Sequence, residues 1–238
     1  MPTTENHRKR ILYGRRRGKA LRKSQQYAID EILPKLQVPL DKDPIDLHRL
    51  FDGKAQDYWL EIGFGAGEHL AWQAAHHPDM GIIGCEPFLN GVAVLLGKLQ
   101  KDDISNVRIH NEAAELLLEK LPEASFGRAF LLFADPWPKS SHKKRRFVTD
   151  ENIQALARAL KDDTILRVST DHTDYGAWIL HHFLRSPDFI WDAEHPEDWL
   201  KRGDDWPQTR YEAKALREGR KSVYYRFRRR PRKTVAKT

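Results

Sequence analysis

The chain has 238 residues, of which 40% are hydrophobic and 32% are charged, and its formal net charge is +7. This length suffices for one α/β domain with a well-buried core, whereas a sequence without a run of 18 apolar residues predicts no membrane span, and a polar, basic N-terminus predicts no secretory signal. A single cysteine, Cys85, and eleven histidines without ligand spacing predict a cytoplasmic protein with no internal disulfide and no metal site.

The positive charge is concentrated in three segments. Residues 1–23 contain nine Lys/Arg and one acid, residues 139–146 contain five Lys/Arg and no acid, and residues 214–233 contain ten Lys/Arg and one acid. Basic tails alone are often only solubilising, but three segments that could converge on one face predict a polyanionic partner, usually nucleic acid. We expect residues 1–18 to be a flexible basic arm and residues 19–238 to form one domain.

Strand and helix patterns alternate along most of the chain. Spaced apolar residues from Leu21 to Leu36 predict an amphipathic helix that ends at Pro34 or soon after. Further along, strands are predicted near 58–62, 81–85, 106–110, 127–133, 164–169, 188–192 and 222–228, and helices near 67–76, 88–100, 112–120, 149–160, 172–184 and 209–218. This alternation predicts an α/β fold with a mostly parallel, seven-stranded sheet and helices on both faces.

A glycine-rich turn follows the first predicted strand. Gly63, Gly65 and Gly67 allow a tight turn and the close approach of a ligand to the backbone, which predicts a nucleotide-binding site. A dinucleotide site has the pattern G-x-G-x-x-G, but here Glu68 stands at the last glycine position. Glu61 and Glu68 would repel a pyrophosphate and suit a cation, such as the sulfonium of S-adenosylmethionine. Equally, Glu61 could simply end the strand, and the helix dipole could favour Glu68 in the first turn. The glycines alone therefore do not decide between a ligand-binding and a structural role for these two acids.

Polar side chains also follow the second and third predicted strands. Glu86 lies 19 residues after Gly67, where an acid accepts hydrogen bonds from ribose hydroxyls in either class of cofactor. Asn111 follows the third strand, where its amide could contact an adenine edge or cap the next helix. These positions predict a nucleoside ligand without choosing between the two cofactor classes.

The segment from Asp135 to Arg146 combines an acid, an aromatic ring and a run of cations. The fourth strand delivers Asp135 to its carboxyl end, and Pro136 and Pro138 prevent helix formation. Trp137 offers a flat face to a base, and such stacking is worth about 1–3 kcal/mol. A rigid turn followed by a solvated loop is the alternative, but we favour a binding site because ligands bind at this end of such a sheet.

The sequence resembles the bacterial tRNA (guanine-N7-)-methyltransferases, which modify a guanosine in the tRNA variable loop. Asp135-Pro-Trp-Pro-Lys139 with the basic run after it is close to family-specific, whereas many methyltransferases share the glycine turn. The other matching pieces are Tyr13-Gly-Arg-Arg-Arg-Gly18, Gly84-Cys-Glu86, Ser169-Thr-Asp171 and Thr209-Arg-Tyr-Glu212. The family often has proline where this chain has Ala134 and a basic residue where it has Ser141, and neither departure falls on a catalytic position.

The resemblance implies a Rossmann-like class I methyltransferase fold, S-adenosylmethionine as cofactor and tRNA as partner, in a monomer or homodimer. It implies that Asp135 is the catalytic acid. The implied cofactor contacts are Glu61, Gly63, Gly65, Gly67, Glu86 and Asn111. The implied substrate contacts are Lys139, Asp171, Thr209, Arg210, Tyr211 and Glu212, and the implied RNA contacts are Ser141, His142, Lys143, Lys144, Arg145 and Arg146. From spacing alone, Thr209 and Glu212 instead predict a capping box, and Asp171 a helix cap.

Three other functions compete with this interpretation. A nicotinamide-dependent oxidoreductase would use the same strand–turn–helix and Glu86, but the glycine spacing and Glu61 speak against it. An RNA-binding protein with a vestigial nucleoside pocket would not need Glu61, Glu86 and Asp135 intact. A methyltransferase for another base or an amide often carries an Asn/Asp-Pro-Pro-aromatic turn, from which Trp137-Pro138 departs.

Overall fold

The computed structural model describes residues 14–233, which form one seven-stranded sheet covered by helices. The strands are β1 Asp57–Ile62, β2 Met80–Cys85, β3 Val107–His110, β4 Phe126–Leu132, β5 Leu160–Thr170, β6 Phe189–Trp191 and β7 Val223–Arg229. Their order is β3-β2-β1-β4-β5-β7-β6, and β7 runs antiparallel to both of its neighbours while the other pairs are parallel. The predicted mostly parallel sheet is confirmed, with an antiparallel edge at β7.

The predicted helices are also confirmed. The α-helices are α1 Lys23–Tyr27, α2 Leu33–Leu36, α3 Leu47–Leu50, α4 Glu68–His76, α5 Leu89–Lys101, α6 Ala114–Lys120, α7 Asp150–Ala159, α8 Thr173–Arg185, α9 Glu197–Leu200 and α10 Arg210–Arg217. A π-helical turn, Ala28–Ile32, joins α1 to α2, so one continuous helical segment replaces the regular helix expected there. A 3₁₀-helix spans Ser140–Arg145.

Side chains of the central strand β1 alternate between two buried clusters. Leu60 and Ile62 pack with α6, α7 and α8 on one face, whereas Trp59 packs with α4 and α5 on the other. Because successive residues of a strand point to opposite faces, Glu61 points to the α4 side. The strand order reverses at β1, which places a crevice beyond the carboxyl ends of β1 and β4.

The described part of the predicted N-terminal arm lies against the start of α5. The carbonyl of Arg16 accepts a hydrogen bond from Leu89 N–H at 2.9 Å, and Gly18 N–H donates to Asn90 Oδ1 at 2.7 Å. Residues 1–13 of that arm lie outside the described residues, so its boundary stays a prediction. Between residues 14 and 233, no helix is long and apolar enough to cross a membrane, and no group of His, Cys, Asp and Glu side chains could hold a metal ion.

We predict that Phe183 contributes strongly to stability, since it is 1% exposed and stacks on Phe227 with ring centres 4.0 Å apart. Phe183→Ala should lower the free energy of unfolding by about 3–5 kcal/mol, because it removes buried surface and leaves a cavity. Its neighbour Leu184 is 60% exposed, so Leu184→Ala should change that free energy by less than about 0.5 kcal/mol. Urea titrations measure both, and similar losses in the two variants would contradict this account.

Candidate active site

The glycine-rich turn connects β1 to α4. Gly63, Gly65 and Gly67 have φ angles of 75°, 58° and 69°, in the left-handed region that glycine adopts without strain. The Gly63 N–H donates to the carbonyl of Cys85 at 2.8 Å, which ties the turn to the end of β2. The predicted strand–turn–helix is therefore confirmed.

Glu86 follows β2 and holds the same turn through its side chain. Its Oε2 accepts a hydrogen bond from Gly65 N–H at 2.7 Å, and its Oε1 accepts one from Phe88 N–H at 2.8 Å. Burial raises the pKa of Glu86, and the two N–H donors oppose this rise. Because each carboxylate oxygen has two lone pairs, Glu86 can still accept hydrogen bonds from the hydroxyl groups of a ligand in the cavity that it lines.

A cavity of about 370 Å³ opens between the glycine turn, the end of β2 and the segment after β4. This volume suits a small-molecule ligand. The predicted site residues in its wall are Gly63, Gly65, Glu86, Asp135, Arg145 and Tyr211, and other lining residues include Arg15, Ile62, Phe88, Ala113, Ala114 and Trp137. Asp135 and Glu86 thus share one cavity with the glycine turn.

Asp135 lies on an irregular segment after β4. Phe133 and Trp137 have positive φ angles of 53° and 41°, which are unusual for aromatic residues and typical of strained functional loops. The Asp135 carboxyl is exposed at the cavity mouth, but the protein around it excludes part of its water and raises its pKa. The half-buried Trp137 ring lies beside it, with the Arg145 guanidinium carbon 5.1 Å from the ring centre.

The basic run after Asp135 separates into surface residues and one buried arginine. The predicted RNA and substrate contacts that reach the surface here are Lys139, Ser141, His142, Lys143, Lys144 and Arg145. Arg146 is a correction, because its side chain is 0% exposed and its Nε donates to the Pro136 carbonyl at 2.8 Å. Its guanidinium carbon lies 5.1 and 4.9 Å from the ring centres of Tyr175 and Trp178. Arg146 therefore supports the loop that carries Asp135 instead of facing an RNA phosphate.

Glu61 is buried next to the cavity. It is 2% exposed, and its Oε2 lies 2.7 Å from Nδ1 of His69. With Glu68 and Thr209 it lines a second, small cavity of about 20 Å³, which is room for one water molecule. Glu68 forms an ion pair with Arg210, so this acidic corner also connects α4 to α10.

Asn111 and Asp171 do not cap the helices that follow them. The Asn111 amide donates to the Glu86 carbonyl at 2.6 Å, and the N-cap of α6 is Ala113. Asp171 accepts a hydrogen bond from Arg220 Nε at 2.8 Å, and the residue after it occupies the N-cap of α8. Both capping alternatives are wrong, and the implied contacts of these two side chains with cofactor and substrate stay predictions.

The predicted capping box at Thr209 is confirmed in one half. Thr209 Oγ1 accepts a hydrogen bond from Glu212 N–H at 3.2 Å. The Glu212 carboxylate is buried and accepts from the Tyr224 hydroxyl at 2.5 Å instead of returning to the cap. Between them, Tyr211 lies across the glycine turn, with its ring 3.1 Å from the place where a Cβ on Gly65 would stand.

The third basic segment is largely engaged in ion pairs with the body of the protein. Arg226 and Arg228 pair with Asp192 at 2.7 and 2.6 Å, and Arg229 and Arg232 pair with Asp162. These pairs join β7 to the residues after β6 and to β5. Much of this charge stabilises the edge of the sheet, so it is less available to a polyanion than the sequence count suggested.

Several parts of the cavity wall were not predicted from the sequence. Gly14 and Arg15 line the cavity because the chain before α1 passes along the start of α5, and a charged arm carries no signal for such a position. Ala113 and Ala114, at the start of α6, are small apolar residues that belong to no motif.

The chain is similar to known methyltransferases. A family model described as "Putative methyltransferase" matches residues 55–225. A tRNA (guanine-N(7)-)-methyltransferase from Ruegeria sp. strain TM1040 is 50% identical over 92% of this chain and 88% of its own, and one from Ruegeria pomeroyi is 48% identical over 95% and 98%. The crystal structure of an rRNA methylase from Streptococcus thermophilus aligns with a TM-score of 0.51 at 11% identity, over 89% of this chain and 99% of that one. That structure supports the fold alone.

We predict that the cavity depends on the close approach of Gly91 in α5 to the glycine turn. A Cβ on Gly91 would stand 2.2 Å from the carbonyl oxygen of Gly65, so Gly91→Ala should lower the free energy of unfolding by about 1–3 kcal/mol through overpacking. Gly97 in the same helix has no atom within 4 Å of such a Cβ. Gly97→Ala should raise that free energy by about 0.5–1 kcal/mol, and chemical unfolding that shows the same sign for both variants would contradict the prediction.

Proposed function

Since this chain belongs to the tRNA (guanine-N7-)-methyltransferase family, we propose that it transfers the methyl group of S-adenosylmethionine to N7 of a guanosine in tRNA. The variable loop is the position that the sequence resemblance implies. The observation that carries the proposal is the shared cavity, in which Glu86, the glycine turn and Asp135 face the same space.

The side chains that line the two cavities suit S-adenosylmethionine better than a dinucleotide. Glu86 offers acceptors to the hydroxyls of a ribose, and the apolar wall at Phe88, Ala113 and Ala114 suits an adenine ring. Glu61 and Glu68 line the adjoining small cavity. Acids at that place attract the ammonium and sulfonium groups of S-adenosylmethionine and repel a pyrophosphate.

The chemistry asks the protein for alignment more than for proton transfer. S-adenosylmethionine supplies an electrophilic methyl group, and guanine N7 carries an in-plane lone pair and no hydrogen. The protein therefore has to orient the base and exclude water. Asp135 can accept the N–H groups of the guanine and offset the positive charge that develops on the ring, while Trp137 offers a stacking face at the same mouth.

The tRNA would lie across the rim beside Asp135. Lys139 and Lys144 are exposed there. Lys143 and Arg146 both pair with Asp174, and their hydrogen bonds lower the pKa of Asp174 to about 2. A phosphate that draws Lys143 away would leave Asp174 paired with Arg146. The cytoplasmic location and the monomeric or dimeric state stay predictions.

The direct test is to incubate the protein with methyl-labelled S-adenosylmethionine and unmodified tRNA, and to map the labelled nucleoside after digestion. Label in 7-methylguanosine at one variable-loop position supports the proposal. Label in another base, or none in tRNA that the protein binds, would reject it.

We predict that Asp135 acts in methyl transfer and not in cofactor binding. Asp135→Asn keeps the shape but removes the charge, so turnover should fall about 100-fold or more, as when a preorganised group is lost from a catalytic site. Affinity for S-adenosylmethionine should stay close to that of the unaltered protein, because Glu86 and the glycine turn are intact. Single-turnover rates and calorimetric binding separate the two effects, and near-normal turnover would refute the role.

We predict that Lys144 contributes to tRNA binding and Arg146 to stability, although both belong to the basic run. Lys144→Gln should reduce the slope of log affinity for tRNA against log salt by roughly 0.7–0.9, the value for one lost phosphate contact, without changing stability. Arg146→Met should instead lower the free energy of unfolding by about 2 kcal/mol, because it removes a desolvated cation from two aromatic rings. Salt-dependent binding and urea unfolding of both variants test this contrast, and an unchanged slope for Lys144→Gln would show that this lysine contacts no phosphate.

A further inference from the structure

A buried histidine stands directly behind the glycine turn. His69, in the first turn of α4, is 2% exposed, with its Nδ1 2.7 Å from Glu61 Oε2 and its Nε2 3.1 Å from Gln73 Nε2. The rings of Phe130 and Trp206 are inclined to the His69 ring by 66° and 83°, with ring centres 4.6 and 5.2 Å away. His69 is therefore surrounded on every side by atoms that restrict its position.

The neighbours of His69 determine which ring nitrogen carries the proton. Gln73 Nε2 lies 3.0 Å from the carbonyl oxygen of Asp205, which can only accept, so this Gln73 atom must be the amide nitrogen. Turning the amide over would bring two oxygens together. The same nitrogen has only hydrogens to offer to His69, so His69 Nε2 must present a lone pair, and the proton lies on Nδ1, facing Glu61.

We propose that His69 is a positioning residue for the cofactor site, which holds Glu61 through a single Nδ1–H donor. This bond occupies one carboxylate oxygen of Glu61 and orients the group, and the proposal assigns the other oxygen to a ligand at the small cavity that Glu61 lines. A single N–H donor holds the Glu61 carboxyl without placing a cation beside it, so a cationic ligand would not have to displace one. This role rests on the proposed binding of S-adenosylmethionine.

The same relay reaches the segment that carries Tyr211. Asp205 is held by Arg167 through two contacts of 2.5 Å, and Trp206 packs against the His69 ring. Gln73 therefore connects His69 to Asp205, which lies in the chain between α9 and α10. Hydrogen bonds thus connect Glu61 to the segment that leads into α10, whose Tyr211 lies across the glycine turn.

The first experiment measures the tautomer in the cofactor-free protein. Long-range ¹H–¹⁵N NMR spectra of protein with ¹⁵N-labelled histidine, assigned by comparison with His69→Asn, should show a neutral ring protonated at Nδ1. A protonated imidazolium, or a neutral ring protonated at Nε2, would overturn the inference whatever the protein binds.

The second experiment separates the donor from the packing. His69→Asn keeps an N–H near the Nδ1 position and loses the ring, whereas His69→Phe keeps a ring and loses the donor. His69→Phe should weaken S-adenosylmethionine binding about tenfold or more, the effect of losing a hydrogen bond to a charged group, and His69→Asn should retain most of the affinity although it packs less well.

Melting temperatures and calorimetric binding are measured on both variants and on the unaltered protein. A role limited to packing predicts the reverse order, with His69→Phe binding as well as the unaltered protein, and that result would overturn the inference. If the unaltered protein fails to bind S-adenosylmethionine, the proposed function fails, while the NMR result still decides whether His69 donates to Glu61.

Discussion

The two hydrogen bonds that Glu86 accepts from backbone N–H groups are the interaction on which the site depends. They fasten Gly65 of the glycine turn and Phe88 before α5 to the end of β2. Burying a carboxylate is unfavourable unless it is hydrogen-bonded, and these two backbone donors provide that compensation. The turn is therefore held by contacts within the protein, and Gly91 can approach its backbone because no side chain intervenes. Internal contacts of this kind reduce how much of the protein a ligand has to order when it binds.

The elements and the strand ends were predictable, but the partners of individual side chains were not. Apolar periodicity located the strands and helices, and parallel strands deliver their carboxyl ends to one edge, so Glu86 and Asp135 had to meet there. The alternation of side chains along β1 turns Glu61 toward α4, where only the fold reveals His69. Asn111 likewise found a backbone carbonyl that no spacing rule foretells.

Charge counted along a sequence overstates the charge that a ligand meets. The five cations of residues 139–146 looked equivalent, yet Arg146 is buried between aromatic rings while Lys144 is exposed. Arginines of strand β7 pair with Asp192, which follows the neighbouring strand β6. Arginine serves both purposes because its flat guanidinium stacks on rings and pairs with carboxylates. The exposed Lys144 on the 3₁₀-helix is consequently better evidence for an RNA surface than the larger C-terminal count.

The segment from Thr209 to Glu212 shows why structural and functional interpretations of one motif need not compete. Thr209 starts α10 by capping it, and the buried Glu212 carboxylate binds Tyr224 of β7. Both ends of the motif are thus occupied in holding the helix to the sheet. The residues between them are left to act outward, since Arg210 reaches the first residue of α4 and Tyr211 covers the glycine turn. The cap fixes the backbone at the start of α10 and thereby places the Tyr211 ring over the glycine turn, so the structural role of the motif supports the substrate role that we propose for it.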